Sequence, residues 1–453
     1  MKLIPTRFLA GAAILALVAS ACSSGGASPT PAPVTTPVPG ETPTPAVVTP
    51  TPAPKAVTIE WWHITTGEPG KSIFQGIADA YVAAHPNVKI NITVLENEAF
   101  KTKLATTMQS GTTPDLFQSW GGGIMQAQAD AGMLKDITAD VASWKDTVNP
   151  GALSIYALKD KAGVSHQYGI PWDMGMIGVW YNKALFTKAG ISAPPATWTD
   201  FLADVSKLKA AGIVPLAIAG KDMWPSMHLW TYLVLRIGGG DNLSSMITSG
   251  NWNTDACKTA GAEVLKLNAL NPYQPGYKSA TYDNEAAAVG NAQAAMEVMG
   301  QWAPGVEAND STSKKGIGAD LGWFPFPTVA GGKGAATDGV GGGNGIAVGK
   351  NASPEAVDFL KFFSSVYNAT KLNASTPATA LSPIIGTESA VTDPNLQLVL
   401  AGRGKATFMQ LYLDQATSPA MGTAINEATI ALFEGASTPD KVCAAITTAA
   451  AAQ

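Results

Sequence analysis

Val57-Thr58-Ile59-Glu60-Trp61-Trp62, read on as far as Ser119, decides the fold. The hexapeptide is rich in β-branched and aromatic residues and reads as a strand. Ser72 to His85 follows, with Ile73, Ile77, Ala80 and Tyr81 at the i, i+4, i+7, i+8 spacing of an amphipathic helix. Val88 to Val94 alternates apolar and polar residues and predicts a second strand. Glu98 to Ser110 predicts a second helix. Pro114-Asp115-Leu116-Phe117-Gln118-Ser119 predicts a third strand, which enters the loop Trp120-Gly121-Gly122-Gly123. Strand, helix, strand, helix, strand in that order implies an α/β fold: a mostly parallel sheet with helices on both faces.

Downstream, a second unit begins near Gly175. Gly178-Val179-Trp180-Tyr181-Asn182 is strand-like. Thr197 and Asp200 form a capping box that opens a helix from Trp198 to Ala211. Gly212 stops it, and Val214 to Ala219 returns as a strand. Helices are expected around Met227 to Ile237 and Thr254 to Ala269, and strands at Gln293 to Val298, Gly322 to Phe326 and Gly345 to Val348. Pro354, at the first helical position after Ser353, opens an apolar-faced helix through Phe363. Two more helices are expected near Gly422 to Phe433 and Pro439 to Ala450. No short internal repeat is present.

Upstream lies a different kind of sequence. Lys2 and Arg7 precede an apolar run from Phe8 to Ala21, the pattern of a secretory signal over residues 1–21. Ala19-Ser20-Ala21-Cys22 resembles a bacterial lipobox, with Ala19 where Leu is usual; the resemblance implies lipidation of Cys22. The competing reading is an ordinary signal peptide with an incidental Cys. Residues 22–55 form a Pro/Thr-rich tether in which Glu41 is the only charge between 27 and 54. Such a stretch buries too little apolar area to offset its ordering entropy. Proline favours extended polyproline II, at about 3.1 Å per residue, so the segment is a semi-stiff spacer. A glycosylated stalk is the alternative. Either way, the rest of the chain is expected outside the cytoplasm, and a lipidated Cys22 would anchor it to the cell membrane.

The composition agrees. The chain has 453 residues, 46% hydrophobic and 14% charged, a low charge fraction for a cytosolic enzyme. Loss of the signal would remove Lys2 and Arg7 and no acid, taking the net charge from -5 to about -7. No basic block exists, which argues against nucleic acid. After Val18 no apolar run approaches the ~20 residues that span a bilayer. The roughly 400 residues beyond the tether suggest two domains. Besides Cys22 there are two cysteines, Cys257 and Cys443; in an oxidising compartment they either pair or stay as two separate buried thiols.

Longer motifs carry a resemblance. Tyr168-Gly169-Ile170-Pro171-Trp172-Asp173, then Val179-Trp180-Tyr181-Asn182-Lys183, then Pro195-Ala196-Thr197-Trp198-Thr199-Asp200-Phe201 resemble the family 1 extracellular solute-binding lipoproteins of bacterial ABC sugar importers, similar to maltose- and xylobiose-binding proteins. Ala295-Met296, Gly300-Gln301-Trp302, Gly345-Ile346-Ala347-Val348 and Tyr412-Leu413-Asp414-Gln415 extend the resemblance over residues 57 to 450. It implies two lobes of the type II-like binding-protein fold, with ligand held in the cleft between them. The lobes are then expected at 56–172 plus 328–370 and at 173–327 plus 371–453. Hinge crossings fall at Trp172 to Met176, Phe324 to Thr328 and near Asn368 to Ser375. Pro325 and Pro327 suit a crossing, since neither can donate to a central ladder.

A pyranose presents hydroxyls around its rim and apolar C–H faces, so its site needs aromatic platforms and planar polar groups. The chain has 12 Trp. Trp120, Trp172 and Trp302 are the leading candidates, with Trp62 and Trp230 next; Trp180 and Trp198 read as core. At Trp302 the family's Gly-Ser-Trp pattern is altered, because Gln301 stands in place of the common Ser. Glu68, Asp173, Asp338 and Asp414 are the polar candidates. Gly343 and Asn344, within Gly341-Gly342-Gly343-Asn344-Gly345, would let backbone approach the ligand. Glu68 is equally explained as a charge at the following helix N-terminus, and Asp414 as a helix cap. No metal site is expected: His63, His85, His166 and His228 lie far apart with no paired spacing. No nucleophile elbow or Walker loop occurs, and no cofactor is expected. The reading is a monomeric, non-enzymatic receptor that takes a neutral mono- or oligosaccharide to a membrane permease. A tethered glycoside hydrolase is the rival, because it too combines aromatic platforms with carboxylates; a surface carbohydrate-binding module is a third option.

Overall fold

The computed structural model describes residues 55–452. The signal, Cys22 and the tether as far as residue 54 lie outside the described residues.

The opening stretch folds as its pattern dictates. β1 (Val57–His63), α1 (Gly70–Ala84), β2 (Val88–Val94), α2 (Asn97–Gln109) and β3 (Leu116–Ser119) succeed one another. β1 is central and pairs in parallel with both neighbours: Val57 faces Val88, and Trp61 faces Leu116. Period-two alternation sends Ile59, Trp61 and His63 to the buried face. There Trp61 stacks on Phe74 of α1 at 5.3 Å between ring centroids. The sheet is completed by β4 (Gly169–Pro171) and by a strand from much later in the chain.

After β4 the chain leaves this sheet. β5 (Gly175–Met176) and β6 (Gly178–Asn182) lead into α3 (Trp198–Ala210), β7 (Val214–Leu216), α4 (Trp224–Gly238) and α5 (Asp255–Asn268). Next come α6 (Tyr282–Gly290), β8 (Ala294–Met299), α7 (Ala303–Asp310), β9 (Leu321–Phe324) and β10 (Gly339–Gly342). Thr197 caps α3 as expected, but without the reciprocal backbone bond of a capping box: its hydroxyl accepts from the Asp200 N–H at 3.2 Å and donates to the Asp200 carboxylate at 2.7 Å. The second sheet has the order β9-β6-β8-β7. Helix α4 is buried at every residue from Trp224 to Arg236 and is the axis of the second core. β11 (Gly345–Val348), α8 (Pro354–Phe363) and α9 (Val366–Ala374) return to the first lobe; β12 (Met409–Leu411), α10 (Pro419–Phe433) and α11 (Pro439–Ala451) belong to the second. Cys257 of α5 and Cys443 of α11 are joined by a disulfide across 186 residues of sequence.

Three expectations are corrected. The sheets are mixed, not mostly parallel. β11 enters antiparallel between β3 and β4, and β6 runs antiparallel to both its neighbours, because strands that return across the hinge approach from the opposite end. Second, residues 324–328 are no crossing. Phe324 and Phe326 sit in the second core, and the buried Arg236 donates to the carbonyls of Phe326 and Pro327 at 3.0 and 3.2 Å. The same guanidinium reaches the carbonyls of Ala335, Ala336 and Asp338, so the 326–338 loop is pinned to α4. The passage to the first sheet comes between β10 and β11, at Gly343-Asn344. Third, the boundary drawn at residue 370 cuts α9, whose Ala369 and Leu372 pack in the first core together with Ala380 and Ile384.

Candidate functional site

Three chain passages meet at Asp173, which is 1% exposed. Its Oδ1 accepts from the Leu381 N–H at 2.8 Å. Its Oδ2 accepts from the side-chain amides of Gln301 at 2.7 Å and Asn344 at 2.9 Å. Asn344 in turn accepts from Gln118 of β3 at 2.8 Å, and its carbonyl takes the N–H groups of Trp172 and Asp173. Burial pushes the Asp173 carboxyl up, against the pull of those three donors and of Arg403. Glycines make the knot possible: a Cβ at Gly343 would stand 1.7 Å from the Asp173 carbonyl oxygen, and one at Gly175 would collide with Gln301.

Beside the knot lies a cavity of about 470 Å³ between the lobes, within the range of small-ligand sites. The first lobe supplies Glu68, Lys101, Trp120 and Trp172; the second supplies Trp224, His228, Tyr282, Trp302, Tyr412 and Asp414. Asp173 and Asn344 form part of its wall. Of the ten candidate ligand residues, Glu68, Trp120, Trp172, Asp173, Trp302, Asn344 and Asp414 are thus brought to one place.

The other three are not. Trp62 alternates with the buried Trp61, so it faces the opposite side of the sheet, where the Lys103 ammonium sits 4.2 Å from its ring centroid. Trp230 is 0% exposed in the second core, stacked on Trp252 at 5.8 Å. Gly343 lies beneath the cavity wall and serves the close approach to Asp173. Asp338, the further polar candidate, is also elsewhere: it accepts from the Ala335 N–H and the Thr407 hydroxyl in the Arg236-bound loop.

Sequence reasoning missed an aromatic wall. The Trp224 ring lies 5.0 Å from Tyr282, 5.5 Å from His228 and 6.5 Å from Trp302. Tyr412 meets Trp302 edge-on at 5.9 Å. Trp224 and His228 are four apart on one helix and share a face; a lone His in an apolar helix was the available signal. Trp302 can fold back against its own strand only because Gly300 has no side chain, since a Cβ there would lie 2.2 Å from the indole.

Trp172 Nε1, Trp224 Nε1, the Tyr412 hydroxyl and both His228 ring nitrogens are buried without a hydrogen-bond partner among the described residues. Burial, and then Lys101, pushes the His228 pKa down to about 3, so its imidazole is neutral and offers one donor and one acceptor. Asp414 is buried and held above the usual carboxylate range by desolvation, with Lys101 pulling it down. At the mouth Glu96, Asp283 and Asp310 are likewise raised, chiefly by burial; Asp283 adds to the rise of Glu96 and Asp310, while a hydrogen bond with Glu96 pulls Asp283 itself down, and Asp310 reaches about 6. Glu68 is exposed, and its carboxylate accepts from the Ser72 N–H at 3.2 Å at the start of α1. Indole faces, a neutral imidazole and several carboxylates around a cleft suit a polyhydroxylated ligand with apolar faces. Among the described residues no cluster of His, Cys, Asp and Glu has metal-holding geometry, and no helix is long and apolar enough to cross a membrane.

The fold and the interlobe cavity define a two-lobed binding protein. Residues 65–366 match the family of bacterial extracellular solute-binding proteins, and the chain belongs to it. It is 27% identical over 314 residues to an uncharacterised ABC transporter extracellular-binding protein of Pyrococcus horikoshii, a match covering 67% of this chain and 65% of the relative. With the multiple sugar-binding protein of Streptococcus mutans it shares 25% identity over 271 residues, 58% of this chain and 59% of the relative. The match thus spans somewhat under two thirds of each relative's length. A structure solved in a study of xylan utilization by the thermophilic bacterium Caldanaerobius polysaccharolyticus superimposes with a TM-score of 0.80 at 25% identity, covering 86% of this chain and 99% of that one.

Proposed function

We propose that this chain is the substrate-binding component of an ABC importer, which captures a neutral mono- or oligosaccharide in the interlobe cavity and delivers it to membrane permease subunits. The observation that carries the reading is the wall itself: Trp120, Trp172, Trp224, Trp302 and Tyr412 around buried indole, phenol and imidazole groups that have no partner among the described residues. A sugar stacks its C–H faces on such rings and satisfies such atoms with its hydroxyls. The carboxylates Asp173, Asp414 and Glu68 and the amide of Asn344 supply further sites for hydroxyl donors or acceptors. A hydrogen bond to a charged group contributes roughly 1.5–3 kcal/mol, against about 1 for a neutral pair.

The first lobe comprises residues 56–172 with the segment returning through β11 and α9 as far as Ile384, and the second the remainder of the globule. Sugar touches both lobes only when they are shut, so it favours the shut form by its differential affinity, and that form docks on the permease. The protein acts by capture without reaction, as a monomer outside the cytoplasm, held to the membrane through a lipidated Cys22. The family and the sugar-binding relative support this reading. Isothermal calorimetry against xylo-, cello-, malto- and manno-oligosaccharides tests it. Binding at micromolar Kd or tighter, about −8 kcal/mol, is expected for one series. Silence across the panel, or release of reducing ends from a polysaccharide, overturns it.

A further inference from the structure

At the mouth of the cavity the two lobes touch through an amide. Asn309 stands in the last turn of α7 in the second lobe; Gly67 and Glu68 belong to the loop between β1 and α1 in the first. Asn309 Oδ1 accepts from the Glu68 N–H at 3.0 Å, and Asn309 Nδ2 donates to the Glu68 carbonyl at 2.8 Å. The side-chain amide therefore closes a reciprocal pair with the N–H and the carbonyl of one residue, as a strand residue does with its neighbour. Nδ2 also donates to the Gly305 carbonyl one turn back along α7 at 2.7 Å, which fixes the orientation of the amide.

Two features mark this contact as built for closure. It reads backbone alone: the Glu68 carboxylate is turned away to the Ser72 N–H. It also requires a glycine, because a Cβ at Gly67 would lie 2.6 Å from Asn309 Nδ2 and 2.8 Å from Cγ, although Gly67 does not have a positive φ. The glycine is there for proximity. Gly67, Glu68 and Asn309 all line the cavity rim, so parting the lobes must break both hydrogen bonds, and forming both shuts the rim.

We infer that Asn309 is a clasp that holds the lobes shut by pairing with the Glu68 peptide, and that this pair slows ligand release. The clasp uses the Glu68 backbone and leaves its carboxylate free for ligand, although its effect on release rests on the proposed sugar-binding role. Substituting Asn309→Ala removes both bonds; Gly67→Ala keeps the amide and wedges it away. Each variant is compared with wild type, without ligand, by small-angle scattering and by amide hydrogen exchange in the peptide covering residues 64–69.

Both variants are expected to show a larger radius of gyration and faster exchange at Glu68, with an unchanged melting temperature. Stopped-flow tryptophan fluorescence with xylotriose and maltotriose then reads release. The two hydrogen bonds predict a dissociation rate raised roughly tenfold, with association little altered. Scattering and exchange identical to wild type in both variants overturn the clasp. So does a weakened affinity for either trisaccharide with unchanged scattering, which would make Asn309 a ligand contact. If neither trisaccharide binds any form, the calorimetric panel decides the sugar reading while scattering and exchange still decide the clasp.

Discussion

Substituting Asp173→Asn tests whether the hinge knot is held as described. The change keeps volume and replaces one acceptor oxygen by an amide that can only donate. Oδ1 must remain an acceptor, because the Leu381 N–H it serves is backbone and cannot turn away. The new NH₂ therefore takes the place of Oδ2, against two side-chain amides that both donate to it. Gln301 can adapt: its own Oε1 is buried without a partner, so an amide flip presents an acceptor at no loss. Asn344 cannot, since its Oδ1 already accepts from Gln118 at 2.8 Å. The variant thus exchanges bonds to a charged acceptor for neutral ones and leaves one donor–donor contact in a buried site. Bonds to charged groups contribute about 1.5–3 kcal/mol and neutral ones about 1, and an unsatisfied buried donor costs about 1–3, so the expected loss is about 2–4 kcal/mol. Guanidinium unfolding at neutral pH measures it. Asp173→Ala, which strands all three donors, should lose more. Because Gln301 is the neighbour of Trp302, saccharide affinity should fall in both. A stability within about 0.5 kcal/mol of wild type would show that the three passages are not tied through this carboxylate.

Trp302→Ala should raise Kd for the bound saccharide by roughly thirtyfold or more, as a central aromatic does in an interface, with melting temperature nearly unchanged; a large loss of stability would mark the ring as core. Arg236→Lys keeps the charge but cannot reach five carbonyls with a planar fork, and should cost about 3 kcal/mol or more on denaturant unfolding; a near-neutral result would refute the pinning of the 326–338 loop. Glu285, Glu297 and Glu307 lie buried together under α7, with burial raising all three carboxyls and Glu297 reaching about 7. The stability contributed by the protonated Glu297 carboxyl is fully present below about pH 4.5 and is lost as pH rises through about 7, because the unfolded chain ionises first. Melting temperature should accordingly fall from pH 5 toward pH 8, with a flatter profile in Glu297→Gln; equal slopes in the two proteins would refute the assignment.

Local pattern carried the elements further than it carried the site. Val88–Val94, Gly178–Asn182, Gly345–Val348 and Pro354–Phe363 form where alternation, β-branching and a proline at the helix start place them. Those signals are local, and the structure does not override them. One hinge crossing was expected at Phe324 to Thr328, where Pro325 and Pro327 suit it, and there the reasoning failed for a non-local cause. Proline's missing N–H is compatible with a crossing, but the carbonyls of this segment are held by Arg236, about ninety residues earlier in the chain. An arginine that closes an otherwise apolar helix carries no sequence mark of which carbonyls it will collect.

The same limit governs the tryptophans. Trp224 and Trp230 share α4, yet one lines the cavity and the other stacks in the core. A helix buried on every side has no polar stripe, so periodicity cannot say which side faces a cleft. Trp61 and Trp62 were separable in principle: strand alternation puts adjacent side chains on opposite faces, and Trp61 aligns with the buried Ile59. That rule excludes Trp62 from the face that Trp61 occupies but does not say which face meets the ligand. The answer depends on where the other lobe lies. That in turn is fixed by Asp173, Asn344 and Leu381, three residues whose meeting no pattern within a single segment of this chain encodes.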